Sequence, residues 1–239
     1  MLHKMKVMYI SHSLMVGSYI DAYFSGELDQ FKTEHPEIFK RDGTLYADFQ
    51  KAHKTAQRLE SDDLARLLLS GRHQIIKTGK IAGVWFKAKF DSLLTAKQVE
   101  TICKQFPAVR DIVPFGGAMI VDLKYMKDFE PMWDLEAADK VSFVNYWGYD
   151  FQGAIYQNID GRNCPFVIVA ATKEEEPNIA AMHVPDYDLE FCLADVETHA
   201  PRFAAIKRGE IAPVGCGRCA YCRSVKRLSD IKHYKLINE

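Results

Sequence analysis

Apolar residues recur at helical spacing between Ser13 and Ser70, at Leu14, Tyr19 and Tyr23 and again at Leu59, Leu64, Leu67 and Leu68, which predicts a helical first section. His35-Pro36 and Asp42-Gly43 interrupt it with turn chemistry, and Ser61-Asp62-Asp63 offers side-chain oxygens to the free amides of a following helix. From Gln74 the period shortens to two. Val84, Phe86, Ala88 and Phe90 alternate with Trp85, Lys87, Lys89 and Asp91, so a strand ending near Asp91 carries its charges and Trp85 on one face and presents the other to a core. A helix is predicted over Thr95 to Gln105, a loop with Pro and paired Gly over Phe106 to Gly117, and a second strand over Met119 to Tyr125, on which Asp122 and Lys124 share a face. Val144 to Asn158 reads as a helix, Asp160-Gly161 as a turn, Phe166 to Ala171 and Ala180 to Val184 as strands, and Leu189 to Arg208 as the last helix. This mixture of helices and strands predicts an α/β fold.

A chain of 239 residues has room for one sizeable core, so residues 1–239 are expected to form a single unit: a helical part over 1–70, a core over 74–208 and a basic, cysteine-rich tail over 209–239. No apolar stretch approaches the roughly 20 residues that span a bilayer, and the N-terminal Met1 to Ile10 lacks a long apolar region and a small-residue cleavage site. The expectation is a cytoplasmic protein without a membrane partner. With 31 basic against 32 acidic residues there is no global field to attract nucleic acid, so any DNA binding must rest on local patches.

Candidate chemistry lies in Ile120-Val-Asp-Leu-Lys. Charges inside an apolar strand are costly unless a site uses them. Two carboxylates, Asp91 and Asp122, can hold a hard divalent ion such as Mg²⁺ or Mn²⁺, with the Leu123 carbonyl as a third ligand and Lys124 beside them to orient a water or offset phosphate charge. Read alone, an Asp-x-Lys pair is as compatible with a solvated strand face. Gln152 and Tyr156, four residues apart, share one face of the predicted helix that follows.

The ordered series Gly17-Ser18-x-x-Asp21-Ala22, Lys89-x-Asp91, Val121-Asp122-x-Lys124, Gly148-Tyr149-x-x-Gln152-x-x-x-Tyr156 and Ala171-Thr172-Lys173-Glu174 resembles the RecB-like branch of the PD-(D/E)XK nucleases. Within that branch it is most similar to the exodeoxyribonuclease VIII (RecE) type of phage and prophage proteins. The resemblance runs from about residue 15 to 225. It implies a central mixed sheet flanked by helices, a restriction-endonuclease-like core. Asp91 and Asp122 are implied as metal ligands and Lys124 as the catalytic lysine, with Gln152 and Tyr156 in a motif beside the active site and Lys173 near a DNA phosphate. Three positions depart from the pattern. Asp21 stands where relatives often carry a ligating His, so it is either a further ligand or an exposed helical residue. Arg72, His73 and Gln74 occupy the region where relatives place a Glu, and Phe90 stands at the Pro of the family name.

Cys216, Cys219 and Cys222 gather three thiols in a Gly-containing loop, readable either as ligands for Zn²⁺ or an iron–sulfur cluster or as a reduced structural group. Cys103, Cys164 and Cys192 lie in apolar settings and read as core residues. Arg218, Arg223, Lys226 and Arg227 form a basic patch suited to DNA phosphates or, equally, a solvated tail. The leading expectation is therefore a Mg²⁺-dependent deoxyribonuclease, an exonuclease processing DNA ends in phage-type recombination. The resemblance further implies a ring-like homo-oligomer and a single-strand annealing protein as partner. The competing expectations are a DNA-binding module of the same fold without catalysis, and a cluster-centred regulatory protein.

Overall fold

The computed structural model describes residues 11–113, 116–134, 137–162, 164–229, 231 and 233, so expectations about Met1 to Ile10 lie outside the described residues. Ser11 caps the first helix, α1 (His12–Ser25), its Oγ accepting from the Leu14 amide. Gly26 ends it in a left-handed conformation (φ 77°), a break that the sequence pattern does not predict. Next come α2 (Leu28–Glu34), a 3₁₀ turn at Pro36–Ile38, α3 (Ala47–Ser61) and α4 (Asp63–Leu68), with Asp62 capping α4. The strands β1 (Arg72–Ile81) and β2 (Val84–Leu94) form a long antiparallel hairpin. Then follow α5 (Ala96–Gln105), closed by a Thr95/Gln98 capping box, β3 (Met119–Met126), and a small hairpin of β4 (Met132–Asp134) and β5 (Asp139–Val141). The chain ends in α6 (Phe143–Tyr146), α7 (Tyr149–Asp160), β6 (Phe166–Thr172), β7 (Ile179–Val184), α8 (Asp186–Lys207) and a short α9 (Ala220–Val225).

Several boundaries differ from those the sequence predicts. The helix expected over Val144 to Asn158 is two helices, because Gly148 adopts φ 66° and turns the chain between them. The segment expected as a loop from Phe106 contains a 3₁₀ helix, Pro107–Ile112, opened by a proline whose fixed φ suits the first helical position. The last long helix begins at Asp186 rather than Leu189, since Pro185 turns the chain into it and Asp186 and Asp188 complement the positive helix start. Leu14 is exposed rather than packed. Asp91 lies inside β2, not at its end.

Five strands form one mixed sheet in the order β1-β2-β3-β6-β7, with β3 and β6 parallel and the other pairs antiparallel. Helices cover both faces. Val121, Leu123, Val167, Val169 and Ala171 pack against α1, α3, α4 and α5, while Ile120, Phe166, Ile168 and Ala170 pack against α6, α7 and α8. The two strand faces are thus both apolar, as a central strand requires. Gly153 lets α7 approach the sheet closely, since a Cβ there would stand 2.4 Å from the Phe166 ring.

The sheet is forked. β2 and β3 pair only at Ser92–Val121, Leu93–Ile120 and Leu94–Met119, after which β2 leaves with β1 as a two-stranded arm. Buried Ser92 pins the apex, donating to the Leu68 carbonyl and accepting from the Gly71 amide, each at 3.0 Å. One rung into the fork the alternation of β2 slips. Ala88 and Phe90 face the α7 side below it and Leu93 does so above it. Across the hairpin at this rung stands Gln74, a non-glycine residue at φ 53°, opposite Asp91 in a register that continues unbroken on either side.

Candidate active site

Asp91 and Asp122 face one another at the mouth of this fork. Leu123 is the first residue of β3 whose amide lacks a β2 partner, and that N–H donates instead to Asp91 Oδ2 at 3.0 Å. Because the N–H and C=O of one strand residue point to the same side, the Leu123 carbonyl is directed toward the fork as well. Asp122 is 1% exposed. Its Oδ1 accepts from Gln152 Nε2 at 2.8 Å, and the same nitrogen donates to the Tyr156 hydroxyl at 2.9 Å. Tyr156 is held in turn against the rings of Phe90 and Phe166. The expected face shared by Gln152 and Tyr156 is therefore present, and its target is Asp122.

Lys124 Nζ lies 2.5 Å from Asp122 Oδ2 and 4.5 Å from the centre of the Tyr149 ring. The contact is an ion pair without hydrogen-bond alignment, so the buried Oδ2 accepts no aligned hydrogen bond from any described residue. A carboxylate buried this deeply is costly without a partner charge, and here the Lys124 ammonium supplies it.

Burial pushes the Asp122 carboxyl up to about 7, with Lys124 opposing the rise and the neighbouring Asp91 adding to it. Burial likewise raises Asp91 to about 6, reinforced by Asp21, and raises Asp21 to about 6, reinforced by Asp122. Desolvation works against the Lys124 ammonium, but Asp122 and Asp91 outweigh it and hold its pKa above the ordinary lysine value. Three mutually repelling carboxyls around one cation form an environment in which added positive charge is favourable. Asp21 reaches this group from half-buried α1, so the alternative of a fully exposed helical residue does not hold. The three carboxylates do not stand within 4.8 Å of one another as a trio; among the described residues only the cysteines below do.

Beside Asp21 a polar cavity of about 170 Å³ is lined by Gln74, Lys89, Ser18, Glu27 and Glu34. The buried Gln74 Oε1 accepts no hydrogen bond from a described residue. In the sequence Gln74 stands out only as a departure from the family pattern; its strained backbone is visible only in three dimensions.

Lys173 is not part of this centre. Its backbone N–H bonds the Met126 carbonyl, which carries the side chain past the end of β3 to the opposite face, where Nζ lies 5.1 Å from the centre of the Tyr125 ring, beside Lys51, Asp48 and His12. Arg218, Arg223, Lys226 and Arg227 are exposed in the tail around α9 and touch none of the carboxylates.

The ligand atoms of Cys216, Cys219 and Cys222 lie within 4.8 Å of one another. Amides of Cys219 and Cys222 donate to the sulfurs of Cys216 and Cys219 at 3.3 and 3.4 Å, and Gly217 takes the positive φ (72°) that wraps the loop. Backbone donors, that of Cys219 foremost, bring the Cys216 thiol down to about 7. Cys103, Cys164 and Cys192 are buried, as expected of core residues.

Comparison with known proteins agrees with this geometry. The family described as a PDDEXK-like domain of unknown function (DUF3799) matches residues 3–103 and 99–225. A crystal structure from Eubacterium rectale, described as a "Putative exonuclease", is similar at 37% identity and a TM-score of 0.73, over 94% of this chain and 78% of that one. No curated protein matches. The mixed sheet, the fork with its paired aspartates and the family match lead to one assignment: the chain belongs to the PDDEXK-like family, within the PD-(D/E)XK nuclease superfamily.

Proposed function

We propose that this protein is a divalent-metal-dependent deoxyribonuclease that hydrolyses phosphodiester bonds at DNA ends. The observation that carries the reading is Asp122: buried beside Asp91, oriented through Oδ1 by Gln152, and turned through Oδ2 toward the Lys124 ammonium in the fork. That oxygen, the Asp91 carboxylate and the Leu123 carbonyl form an all-oxygen donor set of the kind Mg²⁺ or Mn²⁺ takes, with Asp21 as a further carboxylate. Held there, the ion supplies charge neutralisation at the phosphate and a lowered pKa for the attacking water.

The chain's own residues do the rest. Gln152 and Tyr156 fix the Asp122 carboxylate through Oδ1 and turn Oδ2 toward Lys124, where it would also face the ion. Lys124, kept protonated by its carboxylate neighbours, acts as a cation that offsets charge on the phosphate oxygens and orients water, rather than as a base. Desolvation of the fork strengthens each of these interactions.

The test is degradation of linear DNA with Mg²⁺ or Mn²⁺. Asp122→Asn and Lys124→Ala should each lower the rate by about 10²-fold or more while leaving a folded protein. Full activity in either variant, or DNA retention without cleavage under any divalent cation, overturns the reading, the latter in favour of a binding module. We further place the activity in the cytoplasm, in end processing for phage-type recombination, as a homo-oligomer working beside a single-strand annealing protein. Motif resemblance supports this setting.

The cysteine triad supports a second metal assignment, Zn²⁺ or an iron–sulfur cluster on Cys216, Cys219 and Cys222, since three converging sulfurs with amide donors suit a soft ion. Arg218, Arg223, Lys226 and Arg227 would then form a DNA-facing patch stiffened by the metal. Metal analysis of purified protein tests it, and an iron- and zinc-free, colourless sample retaining nuclease activity would remove the assignment.

A further inference from the structure

Between Arg72 and Phe90 the chain carries five basic residues, Arg72, Lys77, Lys80, Lys87 and Lys89, and no acidic one, although basic and acidic residues balance at 31 and 32 over the whole sequence. This segment is the arm of β1 and β2 that leaves the sheet at the fork. Its inner face packs on α7, where Lys77 is tied to the buried Asp160 at 2.6 Å and Gly79 lies against Ile159. The outer face is different. The cross-strand pairs Ile76–Lys89, Thr78–Lys87 and Lys80–Trp85 place six exposed side chains on it in two rows. Trp85 is 68% exposed and Ile76 57%. Lys80 Nζ rests 4.9 Å from the centre of the Trp85 ring. Lys80, Lys87 and Lys89 make no ion pair among the described residues.

Lysines on an edge strand keep sheets from pairing edge to edge, which accounts for Lys80 on β1. Within the arm β2 also lacks a second partner, so the same role extends to Lys87 and Lys89, but it does not account for the exposed Trp85 and Ile76 that share their face. Alternate residues of an antiparallel strand stand about 7 Å apart, comparable to the separation of adjacent phosphates along a nucleic-acid strand. The row is also continuous with the carboxylates: Lys89 is close enough to Asp91 and Asp21 to pull both carboxyl pKa values down, and it lines the cavity beside Asp21.

We propose that the outer face of the β1–β2 arm is a track for one strand of DNA, with Lys89 and Lys87 on successive phosphates and Lys80 and Trp85 engaging the strand farther from the fork. Cations supply the sequence-independent attraction, and an exposed indole supplies a stacking platform that every base can use. This assigns the nucleic-acid interface to the arm, independently of the tail arginines. It rests on the nuclease reading only for which strand segment reaches the carboxylates; binding itself does not require catalysis.

The test uses the full chain in EDTA with fluorescently labelled linear DNA, following affinity by anisotropy as salt is raised. Lys89 is left intact because it adjoins Asp91. A Lys80→Ala/Lys87→Ala variant should reduce the slope of log K against log[salt] by about 1.5, roughly 0.7–0.9 for each phosphate no longer neutralised. The charge-matched Lys97→Ala/Lys104→Ala variant on α5 should leave it unchanged. Trp85→Phe should abolish most of the tryptophan quenching produced by DNA. An unchanged slope in the arm variant, an equal loss in the α5 variant, or no binding by the wild type overturns the proposal. A reduced slope in a protein that cleaves nothing with any divalent cation supports the track and removes the nuclease reading instead.

Discussion

Gln152 Nε2 donates to Asp122 Oδ1 across 2.8 Å, joining the first turn of α7 to the middle of β3. The bond fixes which oxygen of the carboxylate is turned toward Lys124. Replacing Gln152 by Ala should leave the aspartate in place but free to rotate. Partners that orient a metal ligand are typically worth 10–100-fold in activity or metal affinity. We expect a kcat loss in that range for Gln152→Ala with little change in DNA affinity, and a smaller loss for Tyr156→Phe, which removes only a hydroxyl bonded to Gln152. A Gln152→Ala enzyme with wild-type kcat would show that the orientation is unimportant.

The raised carboxyls give a pH signature. Asp21, Asp91 and Asp122 titrate near 6, 6 and 7 in the folded protein against an ordinary 3.8, so the folded state holds their protons more tightly than the unfolded chain. Their contribution to stability is complete below about pH 4 and disappears as pH rises through 6 to 7. A divalent cation binds only the deprotonated group. At about 100 times its Kd it should therefore stabilise the protein by about 2.7 kcal/mol at pH 8 and by almost nothing at pH 5. Thermal melts with and without Mn²⁺ at the two pH values check this, and an equal shift at both would refute it.

Asp160 behaves in the opposite sense. Burial raises its carboxyl, but a fork from Arg162, Lys77 at 2.6 Å and the Cys164 thiol more than reverse this and hold it well below the ordinary value. A depressed pKa stabilises above the unfolded value and is lost as pH falls through the folded one. Asp160→Asn should cost about 2 kcal/mol at pH 7, less than a fully buried pair because Lys77 and Arg162 reach solvent. The difference in urea midpoint between wild type and variant should shrink between pH 4 and pH 2.

Gly153→Ala tests the seating of α7. The new methyl meets the Phe166 ring at 2.4 Å, so the helix or the ring must move. We expect a loss of about 1–3 kcal/mol, as for other overpacked cores, together with an activity loss, because Gln152 precedes the altered residue. Retained stability with retained activity would mean that the ring gives way without disturbing the helix.

Much of the fold is legible in the sequence where a local rule decides the outcome. The apolar run Phe166–Thr172, entirely buried, and the alternation from Val84 to Phe90 follow from side-chain periodicity alone. Asp122 and Lys124 announce themselves as charges in an apolar strand. Gly148 belongs to a recognisable motif, but its turn between two helices depends on a φ that residue identity only permits. The end of β2–β3 pairing depends on register between strands some thirty residues apart, which no local pattern encodes. The removal of Lys173 to the other face has the same origin: its position in sequence is right for a strand end, but Tyr125 and the Met126 carbonyl decide where it goes.

Because the last β2–β3 ladder pair lies at Ser92 and Val121, the hairpin beyond it is free to change length without moving either aspartate. Paired insertions or deletions around Ala82-Gly83 would alter how far the protein reaches along a substrate while the reacting groups keep their registration. Reach and chemistry are thus separately adjustable in this architecture, and chains with the same fork can diverge in the ends they engage.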